Sequence, residues 1–252
     1  MHCYLDAGGT KDPYALSCAG WIASEESWVN FDHEWSEALR NEGVSEFHMS
    51  QLAHFQGEFK GWKGDEGRRI KFLQKLVAII KANTVRHIGI TLHMDMYNRL
   101  DAETTIRARL GPPYVLTMLF TAIHLQNWQE RHAPSDALSV FFEHGDDDQG
   151  LLLRALKNLQ YPFPLQLVRK RQQTVNGVRY VTPFQAADFL AYELHKGTKE
   201  MRRAGKNEIK GRKSLVALLP VGPDDYTGVI DIHALGAICK SFGVMRRQKR
   251  DL

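Results

Sequence analysis

The first two apolar segments of the chain are joined by a turn, and this pair constrains the fold more than any other feature. They read HCYLD (residues 2–6) and YALSCAGWIAS (residues 14–24), and the DAGGTKDP between them is rich in Gly, Asp and Pro. Apolar runs bounded by turn residues are typical of β-strands. The sequence therefore predicts that the chain begins with an antiparallel hairpin.

Helical and strand-like patterns alternate after this hairpin. Helical spacing occurs in residues 28–41, 68–83, 113–132, 146–159 and 182–197, and strand-like patterns occur in VRHIGITLHMD, ALSVFFE and PLQLVRK. A helix between two strands usually makes those strands parallel, whereas a hairpin is antiparallel. We therefore predict an α/β fold whose mixed sheet has an antiparallel hairpin side and a parallel βαβ half, flanked by helices.

The chain length of 252 residues is within the range of one elaborated domain. We expect a single domain over residues 1–252, with helical and loop insertions at about 25–82 and a basic C-terminal extension at about 198–252. Within the insertions, HFQGEFKGWKGDEG is predicted as a loop. Its aromatic residues Phe55, Phe59 and Trp62 either pack in the core or stack on nucleic-acid bases.

No apolar run approaches the roughly 18 residues needed to cross a membrane. The N-terminus lacks a basic region followed by an apolar one, so no secretory signal is visible. The three cysteines are widely spaced and odd in number, which does not indicate a disulfide framework. We expect a cytoplasmic protein with free thiols and no membrane partner.

Basic residues cluster strongly, although the net charge is only +4. The largest cluster, called here the basic segment, is residues 196–213, and a second one is Arg169, Lys170 and Arg171. The basic segment contains Lys196, Lys199, Arg202, Arg203, Lys206, Lys210, Arg212 and Lys213. Such clusters suit a nucleic-acid backbone, and a solvated surface is the alternative.

Three carboxylates lie where α/β proteins commonly place their chemistry. Asp6 ends the first strand, Glu143 ends ALSVFFE, and Asp188 falls on the mostly apolar face of the helix TPFQAADFLAYELHKG. A buried charge without a partner costs several kcal/mol. Asp6 could instead be a turn residue, and Asp188 could instead pair with a buried Arg or His.

The start of the same helix carries a capping motif. This motif gives the polar residues there a structural role, so they need no functional one. Thr182 suits the N-cap, Pro183 suits the first helical position, and Gln185 falls where a capping box places Glu or Gln. Asp188 lies one turn further on, beyond any capping role.

A divalent-metal site would account for all three carboxylates together. Mg²⁺ and Mn²⁺ prefer oxygen ligands, and a pair of such ions can activate water and stabilise the leaving oxygen of a phosphodiester. In EFHMS, His48 could orient water, move a proton or bind metal, and Glu46 lies two residues before it. HExxH, Cys-x-x-Cys, GxGxxG and Walker A sequences are absent, which argues against zinc-protease, zinc-finger, dinucleotide and P-loop functions.

Several of these motifs together resemble a known family. YLDAGGT, a W-x-x-F…W helix, FHMSQL, FFEHGD and PFQAADFLAYELHKG are similar to sequences of the prokaryotic domain of unknown function 3800 family, from residue 3 to about 197. That family is placed among ribonuclease H-like folds. The resemblance implies an acidic triad of Asp6, Glu143 and Asp188. It also implies Gln185 and His48 as site neighbours, and less directly Glu46.

The residues that directly follow Asp6 depart from the family pattern. Family members often read Asp-Glu-Ser-Gly after the first strand, whereas this chain reads Asp-Ala-Gly-Gly from Asp6. The acid and the hydroxyl that are missing here could each have contributed to a metal site.

These observations predict a Mg²⁺- or Mn²⁺-dependent nuclease that hydrolyses DNA or RNA. Asp6, Glu143 and Asp188 would bind metal, His48 would position or deprotonate water, and the basic segment would bind backbone phosphates. Two alternatives stay open. One is a non-catalytic nucleic-acid- or protein-binding module of the same fold, such as an accessory in a mobile-element or phage-conflict system. The other is a metal-dependent hydrolase of a small phosphorylated substrate.

Overall fold

The first strand of the chain lies inside a six-stranded sheet rather than at its edge. A computed structural model describes residues 1–145, 147–174, 177–206, 212–219 and 227–246. The strands are β1 (His2–Gly8), β2 (Ala15–Ala23), β3 (Arg86–His93), β4 (Ser139–Glu143), β5 (Leu165–Val168), β6 (Arg171–Thr174), β7 (Gly177–Tyr180) and β8 (Thr227–Ile230). The central sheet has the order β5-β4-β1-β2-β3-β8, and β6 and β7 form a separate two-stranded sheet.

The strand directions divide this sheet into two kinds of pairing. β2 is antiparallel to both of its neighbours, β1 and β3, and the hairpin predicts the first of these pairings. β4 runs parallel to β1, β5 parallel to β4, and β8 parallel to β3. The predicted α/β class and mixed sheet are therefore confirmed.

Helices cover both faces of the sheet, because its strands are apolar on both sides. The helices are α1 (Glu25–Asn41), α2 (Met49–His54), α3 (Glu66–Asn83), α4 (Met94–Glu103), α5 (Ile106–Leu110), α6 (Pro113–His132), α7 (Gln149–Asn158), α8 (Thr182–Arg203), α9 (Lys213–Leu218) and α10 (Ile232–Ser241). Successive strand residues point to opposite faces. In β2, Trp21 packs towards α1, α3 and α8, whereas Ile22 packs towards α6 and α7.

The segment predicted as an aromatic loop is folded into the core. Gly57–Trp62 forms a 3-10 helix, and Phe59 and Trp62 are only 0% and 3% exposed. Both rings pack edge-on or tilted against Phe72 of α3. The suggestion that Phe59 and Trp62 stack on bases is therefore wrong, because burial leaves no ring face open.

Two elements were not predicted from the sequence. The β6–β7 hairpin lies between β5 and α8, where a direct connection was expected. β8 lies within the predicted C-terminal extension and adds to the edge of the central sheet beside β3. In the described part of the chain, no helix is both long and apolar enough to cross a membrane. All three cysteines are free thiols.

Candidate functional site

Parallel pairing of β1 and β4 brings Asp6 and Glu143 side by side. The pairing of β1 with β4 ends at Leu5 and Phe142, and the two carboxylates come next on their strands. Asp6 is only 4% exposed, and its Oδ1 accepts a hydrogen bond from the N–H of Ala7 at 2.8 Å. The Glu143 side chain is 28% exposed. One buried and one half-buried carboxylate therefore lie next to each other where the pairing of β1 with β4 ends.

The side chain of Lys170 connects these two carboxylates. Its Nζ lies 2.9 Å from Oδ2 of Asp6 and 2.6 Å from Oε2 of Glu143. Val168 of β5 pairs with Glu143, so Lys170 leaves β5 two residues beyond that pair. The sequence placed Lys170 in a basic cluster but did not identify it as a site residue. A signal was available, since it follows a strand predicted to be parallel to ALSVFFE.

Helix α8 supplies the third carboxylate. It packs across β1 and β2, and the N–H of the Trp21 indole donates to the carbonyl of Ala186 at 3.0 Å. Oδ2 of Asp188 accepts a hydrogen bond from the N–H of Met49 at 2.8 Å, and its Oδ1 lies 3.2 Å from Nδ1 of His48. Asp188 thus has a histidine partner, which is one of the alternatives left open by the sequence.

The close approach of α8 explains why Gly8 and Gly9 follow Asp6 and Ala7. A Cβ on Gly8 would lie 2.9 Å from the carbonyl oxygen of Ala191 in α8. Gly9 has φ +81° and would place a Cβ 2.4 Å from the His195 ring. A side chain at either position would push the helix away from the strand, so close packing accounts for Gly8 where the similar sequences often have Ser.

The predicted capping box at the start of α8 is wrong. The N-cap residue is Val181, and it makes no side-chain cap. Thr182 lies inside the helix, and its hydroxyl donates to Oδ1 of Asp32 in α1 at 2.6 Å. The Thr182 hydroxyl donates to this tertiary acceptor and does not accept a hydrogen bond from the first backbone N–H groups of the helix, as a capping residue would.

Gln185 links the helix to the segment that carries His48. Its Oε1 accepts hydrogen bonds from the indole N–H of Trp35 and from the backbone N–H of Phe47, both at 2.9 Å. Phe47 directly precedes His48, and Gln185 is 2% exposed. Gln185 is therefore near the site, as predicted, and it orients other residues.

Glu46 is turned towards Arg171 rather than towards the three carboxylates. The Arg171 guanidinium donates to Oε2 of Glu46, through Nε at 3.2 Å and through a second, shorter contact. Glu46 therefore anchors the loop to the start of β6, beside Lys170.

Burial and charge shift the pKa values of the groups around Lys170. Burial raises the pKa of Glu143 to about 7, and the charge of Asp6 adds to this while Lys170 opposes it. Burial would lower the pKa of Lys170, but Asp6, Asp188 and Glu143 together raise it above its ordinary value. Lys170 therefore remains charged at neutral pH.

The second pair has complementary shifts. The hydrogen bond to Asp188 raises the pKa of His48 despite partial burial. Burial would raise the pKa of Asp188, but His48 and Lys170 outweigh it and the net shift is downward. The site therefore holds an ionised Asp188 next to a histidine that favours its protonated form.

The donor chemistry of the site fits a divalent cation. Among the described residues, no group of three or more His, Cys, Asp or Glu side chains is already arranged around one metal position. Oxygens of Asp6 and Glu143 nevertheless contact the same ammonium, so they are spaced to share a cation. Carboxylate oxygens are the ligands that Mg²⁺ and Mn²⁺ prefer, and Asp188 is a further carboxylate near Lys170.

A cleft of about 410 Å³ opens on the same face of the sheet as the site. Tyr4, Phe141 and Val168 line it, and each comes two residues before one of the three groups Asp6, Glu143 and Lys170. The rings of Tyr4 and Phe141 stack at 4.6 Å between centroids. Residues two apart on a strand point to the same face, so the cleft lies on the face that carries Asp6 and Glu143, although neither carboxylate lines it.

The basic segment is less free to bind phosphate than its composition suggests. Lys196, Lys199, Arg202 and Arg212 each lie in an ion pair with an acidic side chain of this chain. Arg203, Lys206 and Lys213 are exposed, and Lys210 is outside the described residues. At about 1.5 Å per residue, α8 rises about 22 Å from Asp188 to Arg203. The part of the basic segment in α8 therefore extends away from the carboxylates, whereas Arg212 lies back against Glu193 of α8.

Comparisons with known proteins give little beyond the fold. No family model matches the chain, and no curated protein matches it. A solved structure of a mutant of Bst-RNase HIII is similar, with 14% sequence identity and a TM-score of 0.47. The match covers 96% of this chain and 62% of that one, so this chain spans about 62% of its length. A similarity this low shows neither the activity nor the substrate of this chain.

Proposed function

We propose that this protein is a Mg²⁺- or Mn²⁺-dependent nuclease that hydrolyses phosphodiester bonds of DNA or RNA. The observation that carries the proposal is the convergence of Asp6 and Glu143 on one cation position, with Asp188 on the adjoining helix. Membership of the domain of unknown function 3800 family belongs to the same proposal, since it rests on the sequence motifs alone.

Asp6, Glu143 and Asp188 would hold the metal. When bound, a divalent ion there supplies positive charge that favours a hydroxide nucleophile and stabilises the oxygen that leaves the phosphorus. The β1–β4 pairing fixes Asp6 and Glu143, and the Met49 N–H fixes one oxygen of Asp188. This preorganisation means that the acidic groups need little rearrangement to bind a cation.

His48 would exchange the proton that hydrolysis requires. Its Nδ1 faces Oδ1 of Asp188, which leaves Nε2 as the nitrogen that can take a proton from water or return one. The contact with Asp188 raises the pKa of His48 above its ordinary value, and histidine is the side chain whose ordinary pKa suits proton exchange. Gln185 supports this role through Phe47, which fixes the backbone next to His48.

The surroundings of the site suit a nucleic-acid strand. The cleft beside Asp6 and Glu143 is lined by aromatic rings and could hold a base next to the reacting phosphate. The exposed Arg203, Lys206 and Lys213 would contact backbone phosphates farther along the strand.

The test compares cleavage by wild type, Asp188→Asn and Asp136→Asn. Single- and double-stranded DNA and RNA are each incubated with purified protein in Mn²⁺ and in Mg²⁺. We expect cleavage by wild type and by the exposed control Asp136→Asn, and a loss of at least about 100-fold in Asp188→Asn. Undiminished cleavage by Asp188→Asn would contradict the proposal. Binding by wild type without cleavage would instead indicate the non-catalytic module, and hydrolysis confined to small phosphate esters would indicate the third alternative.

A further inference from the structure

Lys170 differs from the two basic residues that flank it. Arg169 is exposed, and the Arg171 side chain is 64% exposed and pairs with Glu46. The Lys170 side chain is only 12% exposed and ends between Asp6 and Glu143. Of the three consecutive cations, only the middle one enters the carboxylate site.

The backbone on both sides of Lys170 is fixed. The carbonyl of Val168 accepts a hydrogen bond from the N–H of His144 at 2.9 Å, and the carbonyl of Lys170 accepts one from the N–H of Val181 at 2.8 Å. The first bond joins this segment to the end of β4, and the second joins it to the N-cap of α8. The ammonium is therefore held by the same elements that position the carboxylates.

The charges of the site leave room for one divalent ion. Asp6, Glu143 and Asp188 contribute at most three negative charges and Lys170 contributes one positive charge, so at most two negative charges remain for bound metal. A second divalent ion near the first would also have to displace or approach the ammonium. Like charges a few ångströms apart in a partly buried site repel by several kcal/mol.

We propose that Lys170 fills one of the two cation positions of a two-metal arrangement, so that the protein binds one divalent ion per chain. The inference rests on the proposed metal-dependent function, but it concerns the number of ions and not the reaction. In such arrangements two ions lie roughly 4 Å apart between shared carboxylates. The ammonium that bridges Asp6 and Glu143 takes the place of one of them.

The test counts Mn²⁺ ions bound by wild type, Lys170→Met and Arg169→Met. Calorimetric titration gives the stoichiometry, and electron paramagnetic resonance shows whether two bound ions are close enough to couple. Met keeps most of the length of Lys without its charge, and Arg169→Met removes an exposed cation from the same segment. We expect one ion in wild type and in Arg169→Met, and two spin-coupled ions in Lys170→Met, a twofold rise in stoichiometry.

Each other outcome overturns the inference. Two ions on wild type would show that Lys170 does not fill a cation position, and would leave the proposed function intact. One ion on both wild type and folded Lys170→Met would show that Lys170 does not exclude the second ion. No ion on wild type would contradict both this inference and the metal-dependent function. The wild-type count tests the inference even where Lys170→Met does not fold.

Discussion

Oε1 of Gln185 accepts a hydrogen bond from the backbone N–H of Phe47 at 2.9 Å, and it thereby joins α8 to the segment that carries His48. The same oxygen accepts the indole N–H of Trp35 from α1. One buried amide therefore connects two helices and the loop beside the carboxylates. The position of His48 against Asp188 depends on this connection as well as on the direct contact between the two.

Removal of this acceptor is expected to destabilise the protein. Gln185→Met keeps the size of the side chain but leaves the N–H groups of Trp35 and Phe47 buried without a partner, at a cost of about 1–3 kcal/mol. Urea denaturation measures the free energy of unfolding. The control Gln166→Met, at an exposed position of β5, should change it by less than about 0.5 kcal/mol. Equal effects of the two substitutions would show that the Gln185 bonds contribute little.

The contact between Asp188 and His48 predicts a measurable change in the histidine. In Asp188→Asn the pKa of His48 should fall, because the hydrogen bond to the carboxylate is the main cause that raises it and burial acts in the opposite direction. Titration of the His48 ring signals by NMR measures this pKa. Asp136→Asn is the control and should leave it unchanged. A His48 pKa that is the same in Asp188→Asn would mean that the two side chains do not interact in solution.

The raised pKa of Glu143 predicts how stability depends on pH. Glu143 has a pKa of about 7 in the folded protein, whereas the ordinary pKa of a glutamate side chain is 4.5. The folded state therefore binds the proton of Glu143 more tightly than the unfolded state does. Its contribution is therefore most favourable at low pH and is lost as the pH rises from about 4.5 to about 7. The expected loss is at most roughly 1.4 kcal/mol per unit of pKa shift.

This pH dependence can be isolated by comparison with Glu143→Gln, which cannot titrate. Free energies of unfolding are measured from pH 5 to pH 8 with a chelator present. The stability of wild type relative to Glu143→Gln should fall across this range. A constant difference would contradict the assigned pKa and would place Glu143 in a more hydrated or better compensated position.

The sequence predicted the carboxylates of the site because regular structure determines where they lie. Asp188 stands out as the charge on an apolar helical face, and Asp6 and Glu143 end strands that the pattern identifies. The helix prediction was wrong about the capping box, and it ended the helix at Gly197 although α8 continues to Arg203. Thr182 has a tertiary partner in Asp32, and no local motif can reveal a contact between residues so far apart in sequence.

Lys170 could not be singled out in the same way. Three consecutive cations, Arg169 to Arg171, give no periodic signal, and a long flexible side chain can reach in several directions. Its direction is set by the junction between β5 and β6, and the β6–β7 hairpin was not predicted. The Asn-Gly dipeptide in TVNGV is a strong hairpin signal that would have supported it.

The ion pairs of the basic segment predict which of its residues bind nucleic acid. The triple variant Arg203→Gln, Lys206→Gln and Lys213→Gln removes exposed cations, so it should weaken binding and make binding less dependent on salt, by a slope of up to about 0.7–0.9 per lost phosphate contact. Lys199→Met and Arg202→Met remove the partners of Asp12 and Asp95, so they should lower stability more than affinity.

Fluorescence anisotropy with a labelled oligonucleotide, repeated at several salt concentrations, measures affinity and slope for these variants. Thermal denaturation of the same samples measures stability. An unchanged affinity and salt slope in the triple variant would show that the nucleic-acid contacts lie elsewhere on the surface.

The central claim is that Asp6, Glu143 and Asp188 bind a divalent metal ion. Its most direct test is the anomalous difference map of a crystal of the wild-type protein soaked in Mn²⁺. The account predicts one anomalous peak in contact with carboxylate oxygens of this group, with the Lys170 ammonium still beside Asp6 and Glu143. A map from well-soaked crystals with no peak at these carboxylates would contradict it.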